Sequence, residues 1–110
     1  MNINQHFSEA DWRLFRKKIA IWQEAYMEKL VREYMDLLSE DGSASDKFWA
    51  LEKRIKDDKR KTGVVVDMRR SMMQNILQLL GEGAITLDDL DGFSEDLREA
   101  VGFIWNHGGI

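Results

Sequence analysis

Residues 8–39 read SEADWRLFRKKIAIWQEAYMEKLVREYMDLLS, 32 consecutive positions without glycine or proline. Apolar residues recur at Trp12, Phe15, Ile19, Trp22, Tyr26, Leu30, Tyr34 and Leu37 in steps of three and four. That rhythm predicts a helix burying one face. At 1.5 Å per residue it is roughly 45 Å long. A compact chain of this size has a radius of gyration of about 13 Å and a diameter nearer 35 Å. The helix is longer than the globule it belongs to. Something must cover its far end, and a second copy of the chain is the simplest candidate.

Three local signals agree on where this helix begins. Ser8 is placed to cap it, Asp11 stands three residues on where a capping-box acid belongs, and Phe7 can staple onto Trp12. Ile21, Met27, Val31, Met35 and Leu38 broaden the stripe towards the C-terminal half, and a broad stripe contacts more than one partner helix. Lys17, Lys18, Glu24, Glu28, Lys29, Arg32 and Glu33 supply the solvated side.

Working outward, the polar run Ser39–Ser45 reads as a loop. Ser45 or Asp46 then caps a second helix over about 46–61, whose apolar set is Phe48, Trp49, Leu51 and Ile55. This helix is expected to dock by its first two turns. Its basic end, complementing the helix dipole, is expected to stay in solvent, and Gly63 is a natural stop. Val64-Val65-Val66 has strand propensity but no strand-like run to pair with. The spacing continues through Met68, Met72, Ile76, Leu79 and Leu80, so a third helix is expected over about 64–80, with its first residues allowed to be extended. Gly81 and Gly83 end it. Thr86 caps a short turn over about 87–91, with Asp88 and Asp89 where the dipole favours acids. Gly92 breaks the chain again, and Ser94 caps a last helix over about 95–105 carrying Leu97, Val101, Ile104 and Trp105. The expected architecture is all-α, one helical domain over 1–110 built along the long N-terminal helix.

Composition narrows the chemistry. With 110 residues there is room for one core, and 44% hydrophobic residues are too many for a disordered chain. Cysteine is absent, which removes disulfides, thiolate nucleophiles and zinc–thiolate sites. No 18-residue apolar run exists, so a transmembrane helix is not expected. The start MNINQHFSEADW has neither the basic end nor the apolar block of a signal peptide, and the cytoplasm is the expected location. The net charge of −4 is unevenly distributed: residues 1–70 carry 15 Lys/Arg against 13 Asp/Glu, whereas 71–110 carry Arg98 alone against seven acids. Such polarity can steer head-to-tail contact, although solubility explains it as simply.

Candidate sites are few. Lys53, Arg54, Lys56, Lys59, Arg60 and Lys61, with Arg69 and Arg70 close behind, form an anion-contacting segment of the kind that binds phosphates with steep salt dependence. Asp57 and Asp58 inside it, the negative total charge and the lack of a DNA-reading motif favour a solvated helix end instead. Around Gly92 a calcium loop would need Leu87 and Arg98 as ligands, and around Gly42 it would need Leu37, so the EF-hand pattern fails. His6 and His107 lack a carboxylate at helical metal-site spacing. The pair Glu24 and Glu28 sits on a solvated face, and Ser71 has neither a flanking base nor a nucleophile elbow. No catalytic residue, metal or cofactor is expected. Four tryptophans, five phenylalanines and two tyrosines, with Met27, Met35, Met68, Met72 and Met73, could line a ligand groove. Their regular spacing favours core packing.

The patterns FSEADWRLFRKKIAIWQEAYMEKLVREYMDLLS, SDKFWALEKRIKDDKRKTGV and GAITLDDLDGFSEDLREAV resemble a group of small uncharacterised bacterial proteins common in gut species, over roughly residues 7–104. Members have been labelled multidrug transporters, a label at odds with a chain lacking a membrane-spanning stretch. The resemblance implies no activity and no site residues.

Together these readings point to a non-enzymatic, self-associating protein-interaction module. Met27, Leu30, Val31, Tyr34, Met35 and Leu38, left without an obvious cover, are the expected interface of a homodimer. A C-terminal helix folding back over them is the competing arrangement. Two other functional classes fit: an accessory protein contacting nucleic acid or a nucleoprotein through 53–70, and a small inhibitor protein encoded on a mobile element.

Overall fold

The computed structural model describes residues 7–67 and 69–108. It is 71% helical, with no strand among the described residues. Helix α1 spans Glu9–Ser39, α2 Ala44–Asp58, α3 Met72–Gly81 and α4 Glu95–Asn106, with a 3₁₀ turn at Leu87–Leu90 between the last two. The molecule measures 53 × 26 × 25 Å with a radius of gyration of 16.6 Å, well above the roughly 13 Å of a compact chain of this length. One uninterrupted 31-residue helix sets that length, at about 46 Å.

The caps predicted at Ser8, Thr86 and Ser94 form. Ser8 Oγ accepts Asp11 N–H at 3.1 Å, and Ser94 Oγ accepts Leu97 N–H at 3.2 Å. Asp89 reaches back to Thr86 N–H at 2.7 Å, fixing the 3₁₀ turn. Gly83, with φ +74°, ends α3 as a Schellman turn: Ala84 N–H donates to Leu79 O and Gly83 N–H to Leu80 O.

Two boundaries differ from expectation. Helix α2 runs 44–58 rather than 46–61, because Ser43 Oγ takes the capping bond from Asp46 N–H at 3.1 Å. At its other end the backbone leaves the helix to deliver the N–H groups of Thr62 and Gly63 to the Glu82 carboxylate, each at 2.9 Å. Helix α3 begins at Met72, so among the described residues the expected helix over 64–71 does not form; Met68 lies outside them. Ser71 and Gln74 make a complete capping box there. The stretch before it is held as a loop by Asp67, whose backbone oxygen accepts Asn75 Nδ2 at 3.3 Å and whose carboxylate accepts Arg69 N–H at 2.9 Å. Three successive β-branched valines add little helical preference to oppose this.

The core lies at one end of the rod. It comprises Phe15 and Trp22 of α1, most of α3, Ile85, Leu90, Phe93, and Leu97 and Val101 of α4, with Phe7, Trp12, Leu14, Ile19, Ile104 and Trp105 packed around it. Helix α3 is buried on nearly all sides, seven of its ten residues being inaccessible, and acts as the central post. Trp22 is 7% exposed, edge-on to Phe15 at 6.3 Å and stacked on Phe93 at 6.2 Å. Among the described residues, none of 23–71 belongs to this cluster. Helix α4 packs on α3 and the 3₁₀ turn within the core cluster, and leaves Phe103 65% exposed, so it does not cover the far stripe. Asp11 is also not the capping-box acid expected: its carboxylate accepts Ser94 N–H at 2.7 Å and Ser94 Oγ–H at 2.6 Å. A buried acid at the start of one helix thereby pins the start of another, 83 residues away.

Candidate interaction surface

Beyond the core, α1 and α2 form an antiparallel hairpin over residues 27–58. Lys47, Leu51, Arg54 and Asp58 of α2 are the less exposed positions, spaced by four, three and four, and they form the stripe that faces α1. Two of the four carry a polar network. Arg54 donates to Glu33 and, at 3.1 Å, to Asp58 Oδ2, which also accepts Tyr34 Oη–H at 2.6 Å. Burial, then the bond to Asp58, pushes the Tyr34 phenol up to about 12 from its ordinary 10.0. The Glu33 bond raises Arg54 further above its already high value. The expectation that α2 docks by its first two turns is therefore overturned. Its later turns dock through charge, while Phe48 and Trp49 are each 63% exposed and touch one another edge-on at 5.0 Å.

A second junction ties the hairpin to the core end. The loop after α2 lies across α1, with Gln23 Nε2 donating to Thr62 O at 3.0 Å and Glu82 receiving the two N–H groups already described. Gly63 lies so close to the Tyr26 ring that a Cβ there would stand 2.7 Å from its Cγ. Tyr26 is 4% exposed, and burial, with the Glu82 carboxylate next, raises its phenol above the ordinary value. Lys29 Nζ lies over the same ring, 5.9 Å from its centroid.

The expected interface divides under this geometry. Leu30 is buried, Met27 and Tyr34 are partly covered, and Val31, Met35 and Leu38 remain 52%, 62% and 43% exposed. Two α2 residues read as core, Phe48 and Ile55, belong on the uncovered face with them. An apolar groove of about 210 Å³ runs between the helices, lined by Met27, Leu30, Val31, Tyr34, Ile55, Asp58, Lys59 and Val64. A shallower depression of about 520 Å³ continues along α2 past Phe48, Leu51, Glu52, Ile55, Lys56 and Lys59. The sequence did contain a clue: Arg54 and Asp58 at i, i+4 flank the side of Leu51, so one face of α2 holds both its best ion pair and an apolar residue.

The basic set also divides. Arg54 is committed to Glu33 and Asp58, and Arg69 and Arg70 lie within ion-pair distance of Asp67. The Arg69 guanidinium bond holds the Asp67 carboxyl below its ordinary range. Among the described residues Lys53, Lys56, Lys59, Arg60 and Lys61 enter no ion pair. His6 lies outside the described residues, and His107 is exposed with Nδ1 2.8 Å from Phe103 O. Among the described residues no three His, Asp or Glu side chains gather as a metal site, and no helix is long and apolar enough to cross a membrane. No protein family, curated protein or solved structure matches the chain.

Proposed function

We propose that the chain is a non-enzymatic protein-interaction module whose binding surface is the uncovered face of the α1–α2 hairpin. One observation carries this: the two ends of the same helix sort their side chains differently. At the core end, most apolar residues of α1 face inward as burial requires, Ile21 at 62% exposed being the exception. At the hairpin end, Val31, Met35, Leu38, Phe48 and Ile55 are exposed on the uncovered face, Trp49 is exposed on the far side of α2, and polar bonds hold the helices together. A contiguous apolar patch with a polar rim marks an interaction site, and a hairpin this poor in buried contacts is at the low end of local stability.

Backbone hydrogen exchange in dilute solution tests the reading. Amides of 27–38 and 45–58 are expected to exchange at least about tenfold faster than those of α3, since local opening free energy follows buried contacts. They should slow when the surface is occupied. A hairpin as well protected in dilution as α3 needs no cover, and the reading would then be wrong.

A second reading has one observation in its favour. Lys53, Lys56, Lys59, Arg60 and Lys61, without carboxylate partners among the described residues, share α2 and its end with exposed Phe48 and Trp49. Basic side chains beside stacking rings suit single-stranded nucleic acid. Titration with single-stranded DNA at two salt concentrations decides it, because phosphate binding must weaken steeply with salt.

A further inference from the structure

Resting on the interaction-module reading, we infer that the occupant of the hairpin face is a second copy of this chain, packed face to face about a twofold axis with each copy's Phe48 seated in the other's interhelical groove. The knob and the hole lie on one face. Phe48 and the groove residue Ile55 line a common depression, and Ile55 and Lys59 line both it and the groove. Phe48 is 7 to 11 residues from these two positions, or roughly 10–16 Å along α2. A twofold axis crossing α2 midway, near Glu52, and lying across the helices exchanges the two features. Each Phe48 then falls on the partner's groove, and α2 meets its counterpart antiparallel. A twofold contact requires this self-complementarity, with i on j and j on i.

Area agrees with that occupant. Val31, Leu38, Phe48 and Ile55, with Met35 at the edge, are 38–63% exposed. With aromatics worth about 150–250 Å² each when fully buried, this set presents on the order of 500 Å² of apolar surface per copy. A standard interface takes about 800 Å² from each partner, over half of it apolar. The remainder comes from the rim, where Glu52 of each helix meets its own twofold mate near the axis and lies within one turn of Lys56 on the other, which offsets that like-charge contact. The result is a four-helix bundle made of two hairpins, in which the unsupported end of α1 gains the core it lacks. Trp49 lies on the side of α2 away from α1 and is left at the rim.

Light scattering across micromolar concentrations tests the pairing, with three variants as arms. The wild type should show twice the 12.9 kDa chain mass, falling towards one chain on dilution. Phe48→Asp alters an exposed side chain and should give a folded monomer, with association weakened at least a hundredfold. Phe103→Ser, an equally exposed change at the other end of the rod, should leave the dimer intact. Glu52→Cys, in a chain with no cysteine of its own, should cross-link copy to copy on mild oxidation. A monomeric wild type overturns the inference, as does a dimer indifferent to Phe48→Asp. Hydrogen exchange separates the two cases: a monomer whose hairpin exchanges quickly still needs a different partner, whereas one whose hairpin is well protected needs none.

Discussion

Replacing Gly63 with alanine is the sharpest test of how the hairpin is joined to the core. A Cβ there would stand 2.7 and 2.8 Å from Cγ and Cε2 of Tyr26, and closer still to Cδ2. Carbon atoms sit comfortably at about 3.5–4.0 Å, so the ring or the loop must yield by roughly 1 Å. Neither is free to do so. Tyr26 is 4% exposed, and the loop is fastened on both sides of the peptide by Gln23 and Glu82. Overpacking of this kind costs about 1–3 kcal/mol. Gly63 is not among the positive-φ glycines, so alanine adds no backbone strain and recovers about 0.4–1 kcal/mol by stiffening the unfolded chain.

The net loss expected is about 1–2 kcal/mol, or roughly 5–10 °C in melting temperature for a domain of this size. Thermal unfolding followed by circular dichroism measures it. The same substitution in a Tyr26→Ala background, where the ring is gone, should cost under about 0.5 kcal/mol, and the difference is the coupling between the two positions. A Gly63→Ala variant melting within two or so degrees of its parent, or equal losses in both backgrounds, would refute the steric account of this junction.

Other changes probe the remaining joints. Asp11→Ala strips Ser94 of a buried acceptor at two points and should cost about 3 kcal/mol, by charged-bond loss and desolvation together, in urea titrations. Trp22→Ala should cost about 3–5 kcal/mol as a large aromatic core truncation; a small effect would mean that its stack on Phe93 contributes little. Alkaline pH should loosen the hairpin. The folded Tyr34 pKa of about 12 lies above its ordinary 10.0, so the stabilising contribution is complete below pH 10 and disappears as pH rises towards 12. Tyrosinate absorbance should show Tyr34 ionising late, and Tyr34→Phe should remove that component of the alkaline loss.

Much of the fold was legible because it rests on local rules. An unbroken three–four rhythm needs only 3.6 residues per turn to become α1, and Ser8, Thr86 and Ser94 cap the elements they precede. Gly83 and Gly92, at φ +74° and +95°, stand where breaks were expected. The failures share a different cause. Asp11 has the right offset for a capping box, and only the arrival of Ser94 from the far end of the chain diverts it. The valines at 64–66 continue a helical spacing, but Ser71, Gln74 and Asp67 offer the backbone a cap and a loop, and side-chain bonds of that kind compete directly with helix. The docking of Thr62 and Gly63 onto Glu82 involves residue types with no periodic signature at all.

Helix α2 is the most instructive failure, because the rule that misled is the one that worked for α1. The spacing predicts a docking face of Phe48, Trp49, Leu51 and Ile55, since apolar residues go inside, and of these only Leu51 turns towards α1. In this chain Leu51 shares the inward positions with Lys47, Arg54 and Asp58. An ion pair of this sort, one partner 5% exposed and the other 34%, contributes modestly to stability once desolvation is counted, yet it fixes orientation: it turns α2 so that its rings point away from α1. A helix that spends its charges on its own chain and presents its rings outward has reversed the ordinary sorting. Tyr34, Glu33, Arg54 and Asp58 bond mutually, so their positions support one another and the reversal is not left to a single weak contact. Covering Phe48 with apolar surface from a second chain restores the usual order of apolar within and charged at the rim, without moving any of those four residues.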